Sequence, residues 1–266
     1  MLETQLKIAV LGDLHGHIDL ALSILAKFEK ENNVKLDEIL QVGDFGYFPY
    51  PFLRLDRATK RFAEKDPEEL GFSSKFLERT ETSERYFGDP ESEMPRTVFI
   101  AGNHEDGEAL SQLPQNTPTP VDFFRKFVFL PSGVVYEIEK GPLKIRVAGI
   151  GGVSEREKGF NYTHSDLRKV RKLDKIDVLL THEPPAGILE GRGSEEINEV
   201  LRHLNPDYHF CGHFHIDGQK LPETGRTRSY ILNEVGFRKK HRLNKGCVGI
   251  LTVAEKEKKF EILDEP

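Results

Sequence analysis

The segment LKIAVLGDLHGH, residues 6–17, is the most informative about the fold class, because an apolar run changes abruptly into a polar turn. Leu6 to Leu11 is a short apolar run typical of a buried strand. Ile18 to Asn32 then has apolar residues at helical spacing, and Glu38 to Val42 is a second strand-like run. This order predicts a βαβ unit. Its polar turn, Gly12 to His17, lies beyond the carboxyl end of the first strand, where α/β sheets place ligand sites.

The same arrangement, a strand that ends in a small residue followed by a polar one, recurs four times further along the chain. The four strand-like runs end at Gly43-Asp44, at Gly102-Asn103-His104-Glu105, at Thr181-His182 and at Gly212-His213-Phe214-His215. An isolated Asp or His in such a place is more often a turn former or a helix cap. Side chains at the carboxyl ends of neighbouring strands converge, however, so five such ends favour one shared site.

The convergent side chains offer only nitrogen and oxygen donors. They are four imidazoles, two carboxylates and one amide, namely Asp13, His15, Asp44, Asn103, His182, His213 and His215. Such donors suit Mn, Fe, Zn or Ni better than they suit a soft metal that prefers thiolate ligands. Seven ligands exceed the needs of one tetrahedral ion. We therefore expect two divalent metal ions that share a carboxylate, an arrangement that clamps the attacking and leaving oxygens in phosphoryl displacement.

These five ordered motifs resemble those of the calcineurin-like metallophosphoesterase superfamily over residues 6 to 215. The resemblance implies two metal sites that share Asp44, one completed by Asp13, His15 and His215, the other by Asn103, His182 and His213. It also implies that Asp44 bridges the ions together with a water or hydroxide, the nucleophile. His104 resembles the family histidine that contacts the phosphoryl oxygen or protonates the leaving group. Glu105 sits where an acidic residue commonly follows it, so both are candidate catalytic residues.

The resemblance further implies the fold class, an α/β four-layer αββα sandwich of two mixed sheets. Two features bear on the substrate. The second motif continues as Phe45-Gly46-Tyr47 and lacks the Asp-Arg-Gly of the Ser/Thr phosphatases in this superfamily, which disfavours a protein phosphatase. The stretch from Asn103 through 149–152 to 181–185 is more similar to the RNA lariat debranching branch. Asp13, however, stands where debranching enzymes often carry cysteine, and we expect the extra C-terminal domain of those enzymes to be absent.

Further strands and helices follow from the apolar patterns of the middle and the end of the chain. We predict strands over 97–101, 127–130, 134–138, 143–150, 176–180, 208–211, 229–235 and 247–253, and helices over 108–113, 166–173 and 194–204. A second sheet is expected to begin at 127, and the last two strands are expected to finish it.

Residues 46–95 break this regular pattern, and we interpret them as an insertion that carries a helix or two and acts as a lid. The insertion follows the bridging Asp44 directly and begins with the aromatic stretch 45–48. Those rings either lie beside the metals, where they contact a base or aryl group, or pack inward.

The composition limits the organisation and the partners. The 266 residues fit one domain, 1–266. A net charge of -6, from 38 Lys and Arg against 44 Asp and Glu, provides no global basic field for nucleic acid or anionic lipid, so a local site has to hold any polyanionic substrate. Two cysteines, Cys211 and Cys247, build no disulfide framework, and no stretch approaches the ~18 apolar residues of a membrane span. We expect a cytoplasmic protein without membrane contact.

Together these features predict a dinuclear metal-dependent phosphohydrolase in which a metal-bound hydroxide attacks a phosphoester. A phosphodiester or nucleotide, RNA included, is the expected substrate, and manganese is among the expected metals. Two alternatives stay open: a phosphomonoesterase, which needs the same metal pair, and a noncatalytic interaction scaffold on the same fold. The oligomeric state stays open as well.

Overall fold

Two mixed β-sheets form the centre of the structure, a computed structural model that describes residues 4–50, 55, 57–91, 94–238 and 242–263. The strands are β1 (Leu6–Leu11), β2 (Glu38–Gln41), β3 (Thr97–Phe99), β4 (Thr119–Pro120), β5 (Phe127–Phe129), β6 (Val135–Lys140), β7 (Leu143–Ile150), β8 (Val178–Thr181), β9 (Tyr208–Cys211), β10 (Gln219–Lys220), β11 (Arg228–Ile231), β12 (Phe237–Arg238), β13 (Arg242–Leu243), β14 (Val248–Val253) and β15 (Lys258–Ile262). The α-helices are α1 (Ile18–Asn32), α2 (Arg57–Ala63), α3 (Glu81–Phe87), α4 (Gly107–Gln112), α5 (His164–Arg171) and α6 (Glu195–Leu204).

Each large sheet has a parallel centre and antiparallel edges. The first runs in the order β15-β14-β1-β2-β3-β5-β4, and β1, β2, β3 and β5 are parallel. The second runs in the order β10-β11-β9-β8-β7-β6, and β11, β9, β8 and β7 are parallel. Parallel neighbours end at the same edge, so the polar residues that follow β1, β2 and β3, and those that follow β8 and β9, are gathered.

The side chains of β1 show how the sheets are layered. Leu6, Ile8 and Val10 belong to the core that also contains apolar residues of β7, β8 and β9, so they lie between the two sheets. Ala9 and Leu11 alternate to the other face, where they pack with the apolar side of α1. A strand buried on both faces needs a nearly continuous apolar run, and this explains why Leu6 to Leu11 is almost entirely apolar.

Helices cover the outer face of the second sheet too. Ile150 and Leu179 of that sheet share a core with Leu167 of α5 and with Val200 and Leu201 of α6. The helix α6 begins where predicted, since the Ser194 side chain accepts a hydrogen bond from the amide of Ile197. The predicted α/β fold of two mixed sheets with flanking helices is confirmed.

Two predicted strands belong to a different sheet from the one expected. The strand β5 pairs with β3 in the first sheet, so the second sheet begins at β6 and not at 127. The strand β14 returns to pair antiparallel with β1 and does not finish the second sheet. The edge strand β15 was not predicted. An apolar pattern reports the burial of a strand but not the identity of its partner.

The insertion 46–95 contains α2, a 3₁₀ turn (Pro67–Leu70), a π-helical turn (Phe72–Phe76) and α3. Residues 51–54, 56, 92 and 93 of this segment lie outside the described residues. Of the two alternatives for the rings of 45–48, inward packing is the one observed: Phe45, Tyr47 and Phe48 are buried, and Phe45 stacks on Phe99 with ring centroids 4.2 Å apart. Burial of large aromatic area in the core outweighs exposure beside a polar site.

Among the described residues, no helix is both long enough and apolar enough to cross a membrane. The single domain 1–266 and the cytoplasmic location stay predictions.

Candidate active site and metal centre

The first group of candidate ligands lies at the ends of β1, β2 and β9. Donor atoms of Asp13, His15, Asp44 and His215 all lie within 4.8 Å of one another. The Nε2 atom of His215 is 3.0 Å from Asp13 Oδ2 and 3.2 Å from His15 Nε2. Two imidazoles and two carboxylates that converge in this way form a donor set suited to a divalent cation.

The second group lies at the ends of β2, β3, β8 and β9. The His182 ring donates from Nδ1 to the carbonyl of Val42 at 3.1 Å, which turns Nε2 toward the other candidate ligands. That Nε2 lies 2.9 Å from Asn103 Oδ1 and 3.4 Å from Asp44 Oδ2. In a neutral His182, three acceptors would therefore face one another. Either a proton on Nε2 or a cation in their midst resolves this arrangement.

His213 provides the clearest test of whether a metal fits. Its ring centroid is 5.0 Å from that of His182, and its Nε2 is buried with no hydrogen-bond partner among the described residues. Burial and the neighbouring His182 lower the pKa of His213 to about 4, so the imidazole is neutral near pH 7. A buried, neutral imidazole with an unused nitrogen beside carboxylates fits a metal ligand, because a buried polar atom otherwise costs stability.

The electrostatics of the cluster favour positive charge. Burial alone would raise the pKa of Asp44, but His182, His15 and His104 hold it well below its usual range. The charge of Asp44, aided by Asp13, overcomes the effect of burial on His182 and raises the pKa of His182 to about 9. The carboxylates that stabilise a proton at this place would equally stabilise a metal cation, which then replaces the proton.

The backbone around the cluster adopts conformations that ordinary residues rarely take. Four candidate ligands have positive φ angles: His15 (43°), Asp44 (52°), His213 (70°) and His215 (46°). Such left-handed conformations cost energy and are enriched at functional sites. The adjacent glycines allow close approach, since a Cβ on Gly43 would lie 2.6 Å from His182 Nδ1 and one on Gly102 would overlap Asp44.

The two candidate catalytic residues occupy different surroundings. The His104 ring lines the cavity next to the ligands, and its backbone amide donates to Asp44 Oδ1 at 2.7 Å. The Glu105 carboxylate accepts the backbone amides of Phe45 at 2.7 Å and Tyr47 at 2.5 Å. Burial and the charge of Asp44 raise the pKa of Glu105 to about 8. These contacts hold the segment after Asp44 in place, and the catalytic role of Glu105 stays a prediction.

The cavity over the cluster measures about 510 Å³. Besides predicted residues it is lined by side chains that the motif analysis missed, namely Phe62, Lys65, Asp66, Glu69 and Glu234. Glu234 contacts a ligand directly, because its Oε2 lies 3.1 Å from His215 Nδ1. Glu234 lies inside the predicted strand 229–235, so it was not among the polar residues expected after the strand ends. Phe62 was not singled out, because the sequence does not distinguish it from the other aromatic residues of the insertion.

Comparison with known proteins identifies the family of this chain. The sequence model of the calcineurin-like phosphoesterase family matches residues 6–217. This chain belongs to that family. The predicted superfamily and the predicted enzyme class, a metal-dependent phosphoesterase, are thereby confirmed.

The curated relatives of this phosphoesterase include lariat debranching enzymes. The one from Drosophila pseudoobscura pseudoobscura is 27% identical over 250 residues, 79% of this chain and 42% of that protein. The one from Arabidopsis thaliana is 26% identical over 250 residues, 79% of this chain and 54% of that protein. The chain thus spans about half the length of the curated relatives it matches. The predicted likeness to the debranching branch is confirmed.

Solved structures show the same fold. The phosphoesterase aligns with TT1561 of Thermus thermophilus at a TM-score of 0.54 and 15% identity, covering 98% of this chain and 99% of the other. It aligns with GAP50, the anchor in the inner membrane complex of Plasmodium, at a TM-score of 0.51 and 15% identity, covering 98% and 89%. At this level of identity the likeness concerns the fold alone.

Proposed function

We propose that this phosphoesterase is a dinuclear metal-dependent phosphodiesterase that acts on a nucleotide or RNA phosphodiester. The position of Asp44 carries the proposal. Its Oδ2 atom lies 3.7 Å from His15 Nε2 of the first ligand group and 3.4 Å from His182 Nε2 of the second. One carboxylate oxygen placed between two histidine clusters supports a ligand shared by two ions.

In this proposal the two ions occupy the two groups described above. Asp13, His15, Asp44 and His215 would hold one ion, and Asp44, Asn103, His182 and His213 would hold the other. Bound divalent ions would neutralise phosphoryl oxygens and activate water as a nucleophile at neutral pH. The nitrogen and oxygen donors suit Mn, Fe, Zn or Ni.

His104 is the side chain we propose for proton transfer to the leaving oxygen or for contact with the phosphoryl group. Its ring is half-buried at the cavity wall, with its centroid 5.5 Å from that of the ligand His15. The hydrogen bond from its amide to Asp44 fixes the backbone of His104 relative to the shared ligand. A general acid has to be held within hydrogen-bond reach of its target, and this anchoring supports that role.

The substrate class rests on two lines of support. The relatives at 27% and 26% identity are named lariat debranching enzymes, and the present chain covers 42% to 54% of their length. The second motif also continues as Phe45-Gly46-Tyr47, without the arginine of protein phosphatases. A nucleotide or RNA phosphodiester agrees with both features.

The test compares a diester with a monoester. The protein is stripped with a chelator, reloaded with Mn²⁺, Zn²⁺, Fe²⁺ or Ni²⁺, and assayed with bis-p-nitrophenyl phosphate and p-nitrophenyl phosphate. We expect hydrolysis to depend on metal and kcat/KM to favour the diester. The variant Asp44→Ala should lose this activity, whereas Asp174→Ala, an exposed acid on a surface turn, should keep it. A preference for the monoester would support a phosphomonoesterase, and inactivity with every metal would support the noncatalytic scaffold.

A further inference from the structure

Among its described residues, the insertion places one exposed aromatic ring at the candidate metal centre. Phe62, near the end of α2, is 47% exposed and lines the cavity. Its ring centroid lies 5.9 Å from that of His104, in an edge-on arrangement. Phe72 and Phe76 of the same insertion are fully buried. The Phe62 ring therefore provides an apolar surface that a ligand in the cavity can contact.

The chain that follows Phe62 is fixed to the motif that carries His15. The Asp66 carboxylate lies 3.1 Å from His17 Nε2. The backbone at Gly71 packs so closely against Gly16 that no Cβ fits between them. These contacts tie the insertion to the turn after β1. Phe62 therefore belongs to a wall of the cavity that is anchored beside the candidate metal ligands.

One cationic side chain, that of Lys65, accompanies Phe62 among the residues that the structure describes. Lys65 lies three residues further on, and its backbone amide donates to the Phe62 carbonyl at 2.9 Å, so the helical turn continues through both residues. Lys65 is exposed, lines the same cavity and has no ion-pair partner among the described residues. Asp66, Glu69 and Glu234 are the acidic side chains at the rim of this cavity. Within the described part of the chain, the rim thus combines one aromatic face, one cation and three carboxylates outside the candidate ligand set.

We propose that Phe62 and Lys65 form a nucleoside-binding platform, on which a base stacks on Phe62 while Lys65 contacts a phosphate or ribose oxygen. The inference rests on the proposed function and narrows its substrate to phosphodiesters that carry a nucleoside beside the scissile bond. Stacking on an aromatic side chain is tolerant of base identity, because every base has a π-face. The acidic rim supplies acceptors for the amino and hydroxyl groups of a nucleoside.

Binding measured by calorimetry tests the platform without reference to turnover. Adenosine 5′-monophosphate and ribose 5-phosphate differ only in the base, and we expect the full chain to bind the nucleotide ~10-fold more tightly. Phe62→Ala should remove this difference by weakening the nucleotide alone, and Phe62→Tyr should restore it. Lys65→Met should weaken both ligands alike. Phe123→Ala is the matched control, since this exposed phenylalanine does not line the cavity and should leave both affinities unchanged.

Hydrolysis provides the second readout. The substrates are thymidine 5′-p-nitrophenyl phosphate and methyl p-nitrophenyl phosphate, which share a leaving group. We expect Phe62→Ala to lower kcat/KM ~10-fold for the nucleoside substrate, chiefly through KM, and to leave the methyl substrate unchanged. If Phe62→Ala keeps the wild-type discrimination in both assays, the platform is wrong. If the base preference in binding depends on Phe62 but no metal supports hydrolysis, the platform stands and the proposed function fails.

Discussion

Substitution of Gly43 by alanine should separate the geometry of the second ligand group from the stability of the fold. A Cβ at this position would lie 2.6 Å from His182 Nδ1, whereas ordinary contacts begin at 3.4 Å. The buried ring would therefore have to retreat by about 0.8 Å, and misplacement on the ångström scale costs ~100-fold in rate. The φ angle of 101° at Gly43 adds ~1–3 kcal/mol of backbone strain for a residue with a Cβ.

The matched control is Gly187→Ala. Gly187 has a φ angle of 95°, and nothing lies within 4 Å of an added Cβ, so this variant carries the strain without the displacement. Urea unfolding should show the backbone strain in both variants and a further loss of ~1–3 kcal/mol in Gly43→Ala, whose added Cβ displaces a buried ring. We expect kcat/KM for a diester to fall ~100-fold only in Gly43→Ala. Wild-type kcat/KM in Gly43→Ala, or an equal loss in Gly187→Ala, would refute the assignment of His182 as a positioned ligand.

Three further predictions concern single side chains. His104→Ala should keep its metal content, measured by plasma mass spectrometry, but lose ~100-fold or more in kcat, since its ring supplies proton transfer or phosphoryl contact and no metal ligand; an emptied metal site would reverse this division of roles. Glu234→Ala should raise the metal concentration for half-maximal activity ~10-fold, because Glu234 orients His215 from 3.1 Å, with Glu234→Gln intermediate; an unchanged titration would contradict that role. Burial raises the pKa of Glu38 to about 7 from 4.5, so its contribution to stability is fully present below pH 4.5 and lost as pH rises through about 7. Urea unfolding at pH 5 and pH 8 should therefore show Glu38→Gln more stable than wild type at pH 8 by up to ~3 kcal/mol, and an equal difference at both pH values would contradict this.

The sequence allowed prediction of the layered fold and of which residues gather at one edge. Both follow from local features, since Leu6 to Leu11 carries its own pattern of burial and the polar residues begin where each strand ends. The pairing of β14 with β1 could not be predicted in this way, because the apolar run of β14 would fit equally well beside a strand of the second sheet. Pairing is decided by long-range packing.

The orientation of individual side chains was the second gap. Phe45 directly follows Asp44 and packs into the core, whereas Phe62, further along the insertion, faces the cavity. Glu105 followed the pattern of a catalytic acid, but its carboxylate binds backbone amides. The orientation of these side chains depends on the paths of the loops over the sheets, and the local sequence pattern does not specify those paths.

The number of divalent ions bound per chain shows whether Asp44 is shared between two metal ions. Plasma mass spectrometry of protein saturated with Mn²⁺ and freed of excess metal should find two ions in the wild type. It should find one ion in His213→Ala, which loses a ligand of the second group only, and one in His215→Ala, which loses a ligand of the first group only. Asp44→Ala should lose both, because its carboxylate lies between the groups. A wild type that binds one ion, or an Asp44→Ala variant that retains two, would contradict the shared dinuclear site.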